Sequence, residues 1–362
     1  MKQAFCSRPE LSKTLREVIK AGHNAVVLGE RRMGKTSLML DTAERIRGTK
    51  VVYAQLWAVS TLEDVANRLL QGVTTMTKEK GSLIDSAAKA LAHLRPVVEF
   101  DPLTGQPSLT VGRGENLPPS SLHGLFDFVG ELAQRNRMVV ILDEFQDIRR
   151  LDRADAILGE IRGRIQMQSG VPYLFAGSIR HEMERIFRDP SSPFFKSFRT
   201  VEVGPIERDR FELFLSERFA LGNREIRADV FPEIFDLSGD NPSDVQQLCS
   251  AIWQRTSPGT IVERENLLDA IRHIFATERK GYEYLVRPLT NQQLACLRTL
   301  AEVGGKHPQS KAFLEASGIR VPASVKRALQ RLMDLEIIYG PDLEYKFFDP
   351  FFRQWLRHGF AP

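Results

Sequence analysis

The chain has 362 residues, 42% of them apolar and 27% charged, which excludes a disordered polymer and suggests two or three domains at roughly 150 residues each. Lys and Arg number 50 against 46 Asp and Glu, so the formal charge is only +4, and neither a polybasic arm nor an acidic tail is present. Cys6, Cys249 and Cys296 are too scattered for a zinc knuckle or a CxxC pair, and their odd number fits no disulfide framework, so a reducing cytoplasm is the expected compartment. The opening MKQAFCSRPELSK has no apolar h-region, and no apolar run approaches the ~18 residues that span a bilayer. Neither secretion nor a membrane partner is expected.

From Ala25 to about Ile206, short β-branched runs alternate with amphipathic stretches, the pattern of a parallel sheet wrapped by helices. Five core strands are predicted: Ala25 to Gly29, Val51 to Leu56, Met138 to Asp143, Pro172 to Gly177 and Thr200 to Val203. The first four are nearly all apolar, as suits strands buried on both faces. An insertion at about residues 75–120 separates the second and third strands, and within it Val97 to Val111 predicts a hairpin, since Pro and Gly interrupt two β-prone runs. From Glu207 to about Lys280 the chain turns helical, with Phe211, Phe214, Leu215 and Phe219 forming one apolar stripe. The stretch from about Leu289 to Arg357 predicts three short helices and then a β-hairpin. Val325, Leu329, Leu332 and Leu335 mark the buried face of the third helix, which presents Ser324, Arg327 and Arg331 elsewhere. The runs Ile337 to Tyr339 and Tyr345 to Phe348 flank a Gly340, Pro341, Asp342 turn. Three helices and a β-wing make a winged-helix plan.

The most specific signal is Gly29, Glu30, Arg31, Arg32, Met33, Gly34, Lys35, Thr36, which fits G-x-x-x-x-G-K-[ST] directly after an apolar strand. The residues after it place Met39, Ala43 and Ile46 on one helical face, so the loop opens a helix whose first N–H groups can cradle phosphate oxygens. Gly29, Arg32, Met33, Gly34, Lys35, Thr36 and Ser37 form that cradle. Lys35 supplies a point charge to the β and γ phosphates, and the Thr36 hydroxyl is a hard oxygen ligand suited to Mg²⁺. A second half of such a site ends a buried strand with an acid, and MetValValIleLeuAspGlu does so. Asp143 is expected in the Mg²⁺ shell, and Glu144 is expected to orient and deprotonate the attacking water. The fourth strand ends in Ser178 and Arg180. Ser178 is placed between the water and the γ-phosphate; Arg180 either neutralises charge developing on phosphate or pairs with Glu184 at i+4. Arg188 and Arg199 precede the fifth strand and are candidates to reach a neighbouring subunit.

GlyGluArgArgMetGlyLysThrSerLeu, IleLeuAspGluPheGln and PheAspProPhePheArgGlnTrpLeu together resemble the archaeal-type ATPases of the STAND group, within the AAA+-related P-loop proteins, over nearly the whole chain. The resemblance implies ATP or ADP as ligand with Mg²⁺, and an ATPase core, a helical lid and a winged helix whose packing depends on nucleotide state. It leaves no length for the nuclease-like domain that trails some relatives. The opening PheCysSerArgProGluLeu is similar to the segment that lies against adenine in this family, which implicates Arg8. In the lid the chain departs from the Gly-x-Pro contact to nucleotide that this family often carries: the run is Gly239, Asp240, Asn241, Pro242, with Asp240 at the expected glycine and Pro242 keeping the role. An origin-recognition ATPase would carry a sensor arginine where Pro242 and Ser243 stand. The expected fold is therefore α/β: a P-loop NTPase with a parallel five-stranded core sheet at 1–205, an α-helical lid at 206–284 and a C-terminal winged-helix domain at 285–362.

The charge surplus is local. Leu285 to Pro362 holds 11 Lys or Arg and 7 Asp or Glu, whereas residues 1–284 carry 39 of each. Lys326, Arg327 and Arg331 would meet phosphates if the third helix entered a major groove, although Asp342 and Glu344 make the wing a poor phosphate partner. The readings left open are a slow ATP-hydrolysing switch, an ATP-dependent DNA-binding or DNA-loading protein, and a nucleotide-locked scaffold that recruits a protein effector or self-associates.

Overall fold

The computed structural model describes residues 5–76, 96–100, 107–111, 117–340 and 344–358. Two compact units divide the chain, Met1–Gly204 and Pro205–Pro362.

The first unit is built on a five-stranded parallel sheet of β1 (Ala25–Leu28), β2 (Lys50–Gln55), β5 (Met138–Asp143), β6 (Tyr173–Ala176) and β7 (Arg199–Glu202), ordered β2-β5-β6-β1-β7. Every residue of β1, β5 and β6 is buried, whereas β2 and β7 alternate. This is the consequence of position, since the three apolar strands are central and the two mixed ones are edges. Alternation sends Val26, Leu28, Val140 and Leu142 to one apolar core and Ala25, Val27, Val139 and Ile141 to the other. The second core is covered by α1 (Pro9–Lys20) and α2 (Lys35–Glu44). The first is covered by α3 (Leu62–Thr75), α4 (Leu122–Arg135), α5 (Ala154–Met167) and α6 (Arg180–Phe187). Beneath the end of β5, Phe145, Phe175 and Phe194 are fully buried with ring centroids 4.7 to 5.6 Å apart, close enough for edge-to-face attraction to add to burial.

The predicted hairpin is present as β3 (Pro96–Phe100) against β4 (Pro107–Val111); the rest of the 75–120 insertion is described only at residues 75–76 and 117–120. Val111 N–H donates to Asn67 Oδ1 of α3 at 2.6 Å, which anchors the hairpin's last strand to the first unit.

The second unit begins with α7 (Arg208–Ala220), which buries Phe211, Leu215 and Phe219; Phe214 is half-buried, with Arg218 over its ring. Next in the chain are β8 (Glu225–Ile226), α8 (Phe231–Leu237), α9 (Pro242–Arg255) and β9 (Ile261–Val262), and β8 pairs in parallel with β9. Gly239 and Asp240 are both left-handed, at φ 60 and 56, so a backbone position suited to glycine does occur where Asp240 stands. Asp is among the residues that visit this region, and Arg208 clamps its two oxygens at 2.7 and 2.8 Å. Residue 285, the expected lid boundary, falls in the last turn of α10 (Arg264–Val286). The C-terminal part of α10 packs with the winged-helix domain: Tyr282 lies 5.1 Å from Phe352 and 5.4 Å from Trp355. That domain comprises α11 (Asn291–Val303), α12 (Lys311–Ser317), α13 (Pro322–Asp334), and the wing strands β10 (Ile338–Tyr339) and β11 (Lys346–Phe347). Pro341 and Asp342 of the expected turn lie outside the described residues. A helix that the sequence pattern does not announce, α14 (Pro350–His358), closes the domain by burying Phe351, Phe352, Trp355 and Leu356. Among the described residues no helix is long and apolar enough to cross a membrane.

Two helix glycines separate close packing from open surface. A Cβ on Gly72 of α3 would lie 2.5 Å from the Tyr53 carbonyl oxygen, whereas one on Gly159 of α5 would meet nothing within 4 Å. Gly72→Ala therefore lowers stability by roughly 1–3 kcal/mol through overpacking against backbone, and Gly159→Ala raises it by roughly 0.5–1 kcal/mol through helix propensity. Thermal unfolding of the two variants reads the opposite signs.

Candidate phosphate and metal site

The site gathers at the C-terminal ends of β1, β5 and β6. A Cβ on Gly29 would stand 2.3 Å from the Val203 carbonyl oxygen, so only glycine lets the chain leave β1 beside the end of β7. Gly34, at φ 81, is the N-cap of α2, with no side-chain cap and no acid in the first turn. The orphan N–H groups of that turn and the positive end of the helix dipole are thus available to an anion. Arg32 is left-handed at φ 65 and exposed, as is the side chain of Ser37, while Met33 is buried.

Lys35 is only 6% exposed. Its ammonium donates to the Gly29 and Glu30 carbonyl oxygens at 3.0 and 2.8 Å, folding along the loop it belongs to. Burial holds it below the ordinary lysine range, opposed by the charges of Glu144 and Asp143.

Asp143, 3% exposed, is ringed by donors. Thr36 Oγ1 donates to its Oδ2 at 2.5 Å, Tyr53 Oη to the same oxygen at 3.2 Å, and Glu144 N–H to Oδ1 at 3.0 Å. Burial, and then the Asp143 charge, push the Tyr53 phenol above its usual range. Glu144 is left-handed at φ 53, so the chain reverses and sends Phe145 into the aromatic cluster. The Glu144 carboxylate accepts at Oε2 from Ser178 Oγ at 2.6 Å, Ser178 N–H at 3.2 Å and Gln146 Nε2 at 2.7 Å.

Sequence reasoning and structure meet unevenly here. Gly29, Gly34, Lys35, Thr36, Asp143, Glu144 and Ser178 are brought together. Ser178, expected between water and phosphate, has its hydroxyl on Glu144 instead. Arg180 opens α6, and its side chain lies outside the described residues. Arg188 pairs with Glu184 at 3.0 Å and Glu202 at 2.6 Å. Arg199 pairs in register with Ala25, at the opposite end of β1 from the loop, so it does not join the site within its own chain. Arg8 is buried, with one guanidinium nitrogen donating to the Met33 carbonyl at 2.8 Å and the other to the Gly204 carbonyl. Pro242 opens α9 in the second unit and is not among the residues gathered in the first. Tyr53 and Gln146 also belong to the site: Gln146 stands inside the IleLeuAspGluPheGln run, whereas Tyr53 reaches Asp143 because β2 pairs with β5.

Among the described residues no cluster of three or more His, Cys, Asp or Glu forms a metal cage. One hydroxyl and one carboxylate touching each other, with a phosphate cradle beside them, nevertheless fit Mg²⁺, which keeps most of its waters and shares phosphate oxygens.

A five-stranded parallel sheet of this order, with this loop after β1, is the fold of a P-loop NTPase, and a winged helix follows in the second unit. A family model described as a probable winged helix domain matches residues 280–358. The Walker-type ATPase of Pyrococcus abyssi has a similar structure, with TM-score 0.65 and 19% identity, over 98% of this chain and 97% of that one. The ORC2 protein of Aeropyrum pernix, solved in ADPNP and ADP complexes, gives TM-score 0.54 and 15% identity over 97% and 92%. The ORC1 protein of the same organism, solved in complex with DNA, gives 0.50 and 17% over 96% and 91%. No curated protein matches the chain.

Arg8 ties the start of the first unit to the loop and to the unit's last residue. Arg8→Ala leaves two carbonyls without their charged donor and lowers stability by roughly 2–3 kcal/mol; Arg8→Lys restores only part, because a single ammonium does not reproduce the guanidinium fork. Thermal melts of both variants, without any ligand, read this ranking.

Proposed function

We propose that the chain binds ATP with Mg²⁺ and hydrolyses it slowly, as a switch whose nucleotide state is passed to the lid (206–284) and the winged helix (285–362). The observation that carries this reading is the meeting of Lys35, the Thr36–Asp143 pair and the anchored Glu144 carboxylate beside the uncapped start of α2. The α2 N–H groups and Lys35 hold the phosphates. Thr36 and Asp143 hold the metal, which supplies charge neutralisation at the phosphates. Glu144 accepts the proton of the attacking water as the new P–O bond forms and ADP leaves. Adenine lies toward Arg8.

A second reading, duplex DNA held by the winged helix, is favoured by one observation. Lys326, Arg327 and Arg331 are all exposed on α13, and no acid lies within ion-pair distance of them among the described residues. One fold neighbour was solved with DNA.

Glu144→Gln retains ATP with near-unchanged Kd and loses about 100-fold or more in single-turnover phosphate release; release at the wild-type rate would remove Glu144 from the role of base. For the second reading, replacing Lys326, Arg327 and Arg331 by Ala weakens duplex retention and lowers the salt slope of log K by about three. A mobility shift at several salt concentrations, with and without ATP, measures both, and an unchanged slope would return the winged helix to protein contacts.

A further inference from the structure

Gln146 has no part in the chemistry above, yet it is 3% exposed and sits among the acids. Its amide nitrogen donates to Glu144 Oε2 at 2.7 Å and to Asp147 Oδ1 at 3.2 Å. A flipped amide would set its oxygen against both carboxylates, so charge fixes its orientation. Shape fixes the other end. A Cβ on Gly177 would lie 2.1 Å from Gln146 Oε1 and 2.6 Å from Met183 Cγ and Sδ. Gly177 has no left-handed φ to call for a glycine; the amide fills the space that its missing Cβ leaves. Asp147, 2% exposed, in turn accepts the Ala58 N–H at 2.7 Å. Ala58 is left-handed at φ 56, and it comes directly after Trp57, an exposed aromatic.

We infer that Gln146 is the positioning residue of the base: seated against Gly177, it orients Glu144 and couples it through Asp147 to the turn at residues 56–59. Among the described residues, the three hydrogen bonds to the Glu144 carboxylate end on Oε2, which leaves Oε1 to take the water's proton. This rests on the ATPase reading above.

Gln146→Met keeps the side chain's length and removes both donors. Its kcat falls about tenfold or more, while KM and nucleotide Kd stay within twofold; Gln146→Glu, which keeps the shape but repels both carboxylates, falls as far. A role in folding alone would instead lower Tm and leave kcat of the folded fraction unchanged. Gly177→Ala reaches the same carboxylate without altering Gln146, and carries the test should Gln146→Met not fold. It lowers both Tm and kcat in the native background and by less in a Gln146→Ala background. The Met183 contact is common to both arms and cancels in the cycle. The Tm cycle needs no nucleotide. Wild-type turnover by Gln146→Met beside an inactive Glu144→Gln, or additive Tm effects, overturns the inference and leaves the ATPase reading standing. Wild-type turnover by Glu144→Gln sinks the base assignment, and the inference with it.

Discussion

Asp143 and Glu144 stand side by side at the end of a strand whose six residues are all buried, and the geometry of the site is set by holding two neighbouring carboxylates there. Their repulsion in a low-dielectric setting is large unless donors and a cation answer it. Asp143 is answered by Thr36, Tyr53 and the next residue's N–H, and Glu144 by Ser178 and Gln146. Lys35 completes the balance. Burial lowers its pKa, and the charges of the same two acids oppose that shift.

Sheet order is what lets those groups meet. With β6 between β1 and β5, the phosphate loop and the acidic strand end are two strands apart, about 10 Å at the usual spacing. The first turn of α2 spans that gap with Thr36, and the end of β6 fills it with Ser178. The backbone bends sharply where these ends turn over: Arg32, Ala58 and Glu144 are left-handed, each costing about 1–2 kcal/mol for a non-glycine residue. Strain of this kind clusters where a fold holds a functional group in place. At Ala58 the Asp147 carboxylate offsets it, and at Glu144 the Ser178 and Gln146 donors do.

The range of each interaction decides whether sequence alone reveals it. The phosphate loop and the Asp143–Glu144 strand end are local patterns, in which neighbours in sequence are neighbours in function, and the apolar runs of β1, β5 and β6 announced their burial. The contacts Tyr53 to Asp143 and Ser178 to Glu144 span 90 and 34 residues and depend on strand order, which periodicity does not encode. The seat of Gln146 depends on a side chain that Gly177 lacks, a feature invisible without the third dimension. Helix α10 runs through residue 285 because its pattern continues from one packing partner to the next; Tyr282 serves the winged-helix core from within what looked like lid. α14 directly follows the wing, and its Phe351, Phe352, Trp355 and Leu356 read in sequence as a continuation of the aromatic run Tyr345 to Phe348.

The second unit shows how a net charge hides its own distribution. Arg208, Arg227, Arg255, Arg264 and Arg279 each face a carboxylate, so they add to the count of cations without adding a field of their own. On α13 the nearest acid along the helix, Asp334, accepts from the Gln330 amide, which leaves Lys326, Arg327 and Arg331 to project their charge into solvent. Arg208 makes the contrast sharpest. Its guanidinium holds Asp240 in a backbone conformation that glycine would adopt unaided, a structural use of charge that leaves nothing for a partner. A surplus of +4 averages these two populations, and it is the pairing of each arginine that decides which of them an approaching polyanion would meet.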